Sequence, residues 1–264
     1  MQRTTVAVWT WLVLTASFLE AGAATDIGYS KRWVQGTPVH VVTVNLNSHN
    51  VRVSPAIARH GIGTSEGFGS MLSRLQPTTA ITGTYFCVRK LIPVGDIVVD
   101  SRRVNFGCVG TAVCFTSGNT VEFRTSDWKG YQSVVCAGPR LVTNGVAKVN
   151  PRAEGFRDGG LFRKAHRTAL GVTKHNKLLL VSVNHPIYLS RLAKIMRELG
   201  AVNAINLDGG SSTALHYRGR TFSHPGRRLT NLIVVYESPR LFARVKSELA
   251  PTPVIARSST KSGS

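Results

Sequence analysis

The sequence predicts an α+β fold: a single β-rich mixed-sheet domain with about two main helices packed on it. Three observations carry this. Between Pro38 and Tyr236 the chain is mostly short apolar runs of strand length, separated by Gly, Asn, Asp and Pro turns. Residues 188–199 have a helical period, with Leu189, Leu192, Ile195, Met196 and Leu199 on one stripe and Arg191, Lys194, Arg197 and Glu198 on the other. A shorter helical spacing, Phe68, Met71, Leu72 and Leu75, stops at Pro77. Many strands with about two main helices packed on them indicate α+β.

Taken in order, the chain opens with Arg3, an apolar run from Val6 to Leu19, and Ala21-Gly-Ala23. That is the pattern of a secretory signal peptide, expected over residues 1–24. The mature chain is then expected outside the cytoplasm: secreted, periplasmic or at the cell envelope. Residues 25–37 are polar and read as a lead-in. The domain is expected over 38–238. Residues 39–46 alternate strongly, and 51–58 follow an Asn-Ser-His-Asn turn. Residues 65–75 read as a helix with Ser65 as its cap. Strands are expected at 79–86, 92–99, 109–116, 120–124, 132–137 and 140–142. Residues 147–165 are irregular and polar. Residues 168–173 and 177–184 form a hairpin pattern. The helix at 188–199, closed by Gly200, delivers the chain into a strand at 202–207. Residues 239–264 are basic, then low in complexity, and read as a partly disordered tail. No segment of the mature chain is long and apolar enough to predict a membrane span.

Lys and Arg number 33 against 13 Asp and Glu, a formal net charge of +20, so anionic partners are favoured. The cations are scattered, as at Arg102-Arg103, Arg163-Lys164 and Arg227-Arg228, and no zinc-finger, helix-turn-helix or aromatic RNA-binding signature accompanies them. Association with anionic envelope polymers is therefore expected, and sequence-specific nucleic-acid binding is not. The four cysteines, Cys87, Cys108, Cys114 and Cys136, are an even count in an exported chain and predict two disulfides, with three connectivities open. They lack paired C-x-x-C spacing, and no H-E-x-x-H occurs, so neither a metal nor another cofactor is expected.

The most informative stretch is residues 201–216. An apolar run ends in Asp208, followed by Gly209 and Gly210, then Ser211, Ser212 and Thr213. Such a turn holds one carboxylate beside open backbone N–H groups and hydroxyl donors, a nest for an oxyanion. The same letters also spell an ordinary hairpin turn.

Asn206-Leu-Asp-Gly-Gly-Ser-Ser-Thr213 resembles a signature of the phosphodiester glycosidase family. Four further segments resemble that family's motifs in the same order: Gly83-Thr-Tyr-Phe86 with Pro93-Val-Gly-Asp96 after it, Gly138-Pro-Arg-Leu-Val-Thr-Asn-Gly145, Arg167-Thr-Ala-Leu-Gly-Val-Thr173, and Leu229-Thr-Asn-Leu-Ile-Val-Val-Tyr236. Thr82 and Ser211 depart from the usual Asn and Gly, which touches the pocket rim and the substrate more than the reaction. The resemblance implies hydrolysis of a sugar-1-phosphodiester in a phosphate-containing glycan. Asp208 would be the carboxylate and Arg167 the phosphate-binding cation, because a guanidinium grips phosphate in two-pronged fashion. Glu154 or Asp158 would supply a second acid and Arg157 a second phosphate contact. Gly83, Thr84, Tyr85, Asp96, Asn206, Gly209, Gly210, Ser211, Ser212, Thr213 and Asn231 would line the substrate; Asp96 also reads as a turn residue, and Asn206 and Asn231 as structural amides. The rival expectation is a non-catalytic envelope protein of the same fold that binds anionic polymers.

Overall fold

The run Leu178–Leu179–Leu180–Val181 shows no alternation because both faces of its strand are buried. It belongs to the seven-stranded sheet at the centre of the computed structural model, which describes residues 25–251 apart from positions 108 and 126. The leader expected at 1–24 and the chain beyond 251 lie outside the described residues. The strand order is Ile27–Val34, Thr37–Asn45, Lys177–Ile187, Ala165–Thr173, Ala201–Asn206, Arg140–Thr143, Val146–Ala147. A five-stranded sheet runs Val121–Arg124, Thr111–Phe115, Ser133–Ala137, Ile97–Val99, Arg102–Asn105. A second runs Arg220–Ser223, Leu215–Tyr217, Thr79–Thr82, Asn231–Tyr236, Arg52–Ile57.

One face of the large sheet, with Val42, Leu170, Leu178, Leu180 and Ile205, meets Val113, Phe115 and Val135 of one small sheet and Ile81, Ile233 and Val235 of the other. Its opposite face, with Val39, Val41, Leu179 and Val181, is covered by helix α2 (Leu189–Glu198) through Leu192, Ile195 and Met196. Helix α1 (Phe68–Leu75) and helix α3 (Pro239–Leu249) cover Ala80, Leu232, Val234 and Tyr236 on the outer face of the last sheet. The fold is α+β. Every strand pairing among the described residues is antiparallel, where a mixed sheet was expected; tight turns join some neighbours, such as Ile27–Val34 and Thr37–Asn45, while others, such as Thr37–Asn45 and Lys177–Ile187, are distant in sequence.

Four expectations change. The lead-in at 25–37 holds an edge strand, Ile27–Val34, paired in register with Thr37–Asn45 across Gln35 and Gly36, both at positive φ (51° and 64°). Its exposed Lys31, Arg32 and Trp33 hid it from a hydrophobic pattern search. The C-terminal segment from Pro239 is helix, not tail, as far as Leu249. Ser238 accepts a hydrogen bond from Leu241 N, proline occupies the first turn, and Phe242, Val245 and Leu249 are buried. Helix α1 begins at Phe68 behind Gly67, not at Ser65; Glu66 is buried instead, ion-paired to Arg74 at 2.6 Å and bonded by Ser70. Finally, Cys87, Cys114 and Cys136 are unbridged, whereas two disulfides were expected; Cys108 lies outside the described residues. Cys114 and Cys136 sit on adjacent strands two positions out of register, and burial pushes both thiols up to about 12, so they pack as small hydrophobes. Among the described residues no helix is long and apolar enough to cross a membrane.

The reassigned C-terminal helix is directly testable. Leu249 is fully buried, so Leu249→Ala should lower unfolding free energy by about 2–5 kcal/mol. Urea titration reads this; an unchanged midpoint would mean that α3 does not pack on the domain.

Candidate active site

Three of the singled-out segments end side by side. Ala169 pairs with Asn206 and Leu170 with Ile205, and the ladder continues with Leu207 N donating to Thr168 O at 3.0 Å. That register sets Arg167 opposite Asp208, on one face of the sheet. On the other side Asn206 N donates to Pro139 O at 3.0 Å, which brings in the Gly138-Pro139 turn. The strand Thr79–Thr82 stops before Gly83, whose carbonyl accepts from Asp208 N at 3.0 Å. A bulge between Ala165 and Arg167 re-aims the strand at this point.

Glycine is required twice here. A Cβ on Gly83 would lie 1.9 Å from Asn231 Oδ1, and one on Gly209 would lie 2.6 Å from His166 O. Both allow backbones to approach that a side chain would hold apart.

Asp208 is 6% exposed. Its Oδ1 accepts from Gly209 N at 2.9 Å, and its Oδ2 accepts from Arg227 Nη2 at 3.3 Å. Arg227 Nε also donates to Ser212 Oγ at 2.6 Å, and its guanidinium lies 4.6 Å from the Phe86 ring centroid. Burial raises the Asp208 pKa; hydrogen bonding by Ser212, the Arg227 charge and the Gly209 N–H oppose the rise without cancelling it. After Gly209 the chain makes a 3₁₀ turn, Gly210–Ser212, in which Ser212 N and Thr213 N bond back to Gly209 O and Gly210 O. The N–H groups of Gly210 and Ser211 have no such partner among the described residues.

Arg167 is buried and forms no ion pair among the described residues. Its Nε donates to Ile187 O and its Nη2 to Gly160 O and Arg163 O, which leaves Nη1 as the uncommitted edge. The free two-pronged fork expected from the sequence is thus mostly spent on carbonyls. Burial lowers its pKa, and the neighbouring Tyr85 opposes this. Tyr85 donates its hydroxyl proton to Gly138 O and accepts from Asn206 Nδ2. Burial, then the Asp208 charge, raises the Tyr85 pKa, so the phenol stays a donor. Asn206 also donates to Leu207 O at 2.8 Å.

The remaining expectations separate. Asn231 is a structural amide: its Oδ1 accepts from Thr84 N at 2.7 Å and its Nδ2 donates to Thr84 O at 3.1 Å, fixing the Gly83-Thr84 turn. Asp96 accepts from Arg103 and from Gly107 N at 2.8 Å, in the turn that leads into Ile97–Val99. Glu154 accepts from Arg140 N with both oxygens and is raised by burial, so it braces the Gly138-Pro139 turn. Asp158 caps the short turn Gly159–Phe162 through Gly160 N and is exposed, yet its charge reaches Tyr85. Arg157 is exposed and donates to Arg152 O. Ser211 is exposed, and its carbonyl holds Gly226 N at 2.8 Å. The residue that sequence reading missed is Arg227. It stands 19 positions after Asp208, and nothing local distinguishes it from the other arginines.

Among the described residues three buried side-chain oxygens have no hydrogen-bond partner: Thr84 Oγ1, Asn206 Oδ1 and Thr213 Oγ1. Each belongs to a segment that meets at Asp208. An unmet buried polar atom costs about 1–3 kcal/mol, so these atoms call for water or a ligand. Among the described residues no group of three His, Cys, Asp or Glu side chains is placed to hold a metal.

Residues 76–236 match the phosphodiester glycosidase family. Solved structures share the fold. A hypothetical protein from Synechocystis aligns at 18% identity and TM-score 0.72 over 80% of this chain, which spans only 62% of that protein. The catalytic domain of zebrafish N-acetylglucosamine-1-phosphodiester α-N-acetylglucosaminidase, auto-inhibited by its pro-peptide, aligns at 21% identity and TM-score 0.63, covering 80% of this chain and 82% of that one. A protein described as exported, from Burkholderia pseudomallei, aligns at 15% identity and TM-score 0.58, covering 75% and 74%. No curated protein sequence matches.

The Asp208 environment has a signed consequence. Its folded pKa lies above the unfolded value of about 3.9, so the unfolded chain ionises first and stability is lost as pH rises through the folded pKa. Asp208→Asn cannot ionise. Its stability relative to wild type should therefore increase as pH rises above the unfolded carboxylate value of about 3.9 and level off once the folded site has ionised. Thermal unfolding of both proteins reads the difference; a trend of opposite sign would mean that the folded site favours the carboxylate.

Proposed function

The chain belongs to the phosphodiester glycosidase family, and from that premise we propose that it is a hydrolase that cleaves a sugar-1-phosphodiester at the anomeric carbon. The substrate is a phosphate-containing glycan of an envelope or extracellular polymer. The observation that carries this reading is the buried Asp208, ringed by Arg227, Ser212 and Gly209 N–H, with unmet Thr84, Asn206 and Thr213 oxygens in the converging segments.

The chemistry fits a site with one central acid. A phosphate ester leaves without needing a proton, so the second carboxylic acid of most glycosidases is dispensable. Asp208 serves the sugar side, as nucleophile or as base for water, and a pKa raised by burial makes it the stronger base. Arg227 and the Nη1 edge of Arg167 are the cations for the phosphate. The N–H groups of Gly210 and Ser211 add donors in the manner of an anion nest. Tyr85, held between Asn206 and Gly138, keeps its proton beside the carboxylate. Export is supported by the leader-like start and the +20 net charge, and it agrees with an anionic substrate outside the cell.

Purified protein assayed against a panel of sugar-1-phosphodiesters, with and without chelator, should release the phosphomonoester. Asp208→Asn should retain the circular dichroism of wild type and lose turnover by roughly 10²–10⁴-fold. Arg167→Lys should impair phosphate-bearing substrates, and because the lysine cannot reproduce the bonds to the Ile187, Gly160 and Arg163 carbonyls it should also lower the unfolding midpoint. Normal turnover by Asp208→Asn would refute the assignment. Binding without turnover anywhere in the panel would favour the non-catalytic polymer binder.

A further inference from the structure

The end of the large sheet that carries Asp208 continues past Arg167 into a groove outside the proposed site. Crossing the sheet from the Asp208 strand, the next strand begins at Ala165, two residues before Arg167, the next ends at Ile187, the next begins at Thr37, and the edge strand ends beside Trp33. Four steps between strands span roughly 19 Å. The groove has a volume of about 600 Å³. Its walls include Trp33, Pro38, Lys164, His185, Tyr188 and Arg191.

Two features distinguish it from ordinary surface. Trp33 is 75% exposed and Tyr188 49% exposed, although large aromatic faces are costly to leave in water. The lining also contains Lys164, Arg191 and His185 but no carboxylate. Lys164 Nζ lies 5.6 Å from the Tyr188 ring centroid, and among the described residues neither Lys164 nor Arg191 is ion-paired to an acid. Helix α2 starts at this wall with no acid in its first turn, which adds to the positive potential. Glu198, in the last turn of the helix, accepts from Gln35 Nε2, and Gln35 O in turn accepts from Arg191 Nη1. The groove and the Arg167 cage share backbone: Arg163 and Ile187, whose carbonyls hold Arg167, directly precede Lys164 and Tyr188.

We propose that this groove is a secondary binding site for a phosphate-bearing stretch of glycan, which it holds along the sheet end while the anomeric linkage lies at Asp208. An indole and a phenol present flat apolar faces that suit the C–H face of a sugar ring, and the surrounding cations meet the phosphates. The inference rests on the glycosidase reading for the direction in which the chain runs.

The test uses Trp33→Ala with Lys164→Glu in the full chain, both positions being exposed and outside the proposed catalytic machinery. Binding to phosphomannan, neutral mannan and single-stranded DNA is measured by calorimetry in an Asp208→Asn background, and turnover of a small sugar-1-phosphodiester in the native background. The double variant should bind phosphomannan roughly ten-fold more weakly than the parent and turn over the small diester at the parental rate. Neutral mannan should bind weakly to both. Unchanged phosphomannan binding, or DNA binding that is equally tight and equally lost, overturns the groove as a glycan site. Absent turnover of every small diester defeats the glycosidase reading instead, whatever the groove does.

Discussion

Two backbone hydrogen bonds, Leu207 N to Thr168 O and Asn206 N to Pro139 O, hold the register on which the site depends. They lock three antiparallel strands so that Asp208, Arg167 and the Gly138-Pro139 turn reach the same sheet end. A slip of one residue would send Asp208 to the opposite face. The register is in turn enforced by burial on both faces. Ile205 packs in the central core and Ala204 under α2, so neither face tolerates exchange. Thr168 adds a side-chain bond to Asp208 O, which ties the acid's own backbone to the neighbouring strand.

The site handles charge in an unusual way for a protein with so many cations. Asp208 is taken out of water and only partly compensated by Arg227, which is why its pKa rises rather than falls. Arg167 is buried, forms no ion pair among the described residues and is stabilised by carbonyl dipoles instead. In the proposed reaction the phosphate of the ester would meet the free edge of Arg167 and Arg227, and the sugar would displace water from the carboxylate. The three orphaned oxygens extend the same logic to hydroxyl groups of a ligand.

The tertiary structure also sorts the residues that look alike in the motifs. Asn231, Glu154 and Asp96 each accept from backbone N–H groups and thereby shape turns, Asp96 accepting from the Arg103 side chain as well. Asn206 does both, donating inward to Tyr85 and Leu207 while its oxygen stays unmet. A polar residue's neighbours, more than its type, decide whether it remains available for chemistry.

The sequence by itself determined the β-rich α+β class, helix α2, the strand leading to Asp208 and the carboxylate-glycine turn. Each of these is written in local terms: a 3.6-residue stripe, an apolar run, an acid followed by glycines. The strand Ile27–Val34 and helix α3 escaped. The first is an edge strand with charged residues facing water, and the apolar stripe of the second, Phe242, Val245 and Leu249, lies among basic residues that resemble a tail. The cysteine count could not reveal that Cys114 and Cys136 lie out of register, because pairing depends on strand geometry. Arg227 was invisible for the same reason. One of many arginines becomes the counter-charge of Asp208 only when a loop far along the chain folds back over the Gly210–Ser212 turn, and no local pattern encodes that long-range contact.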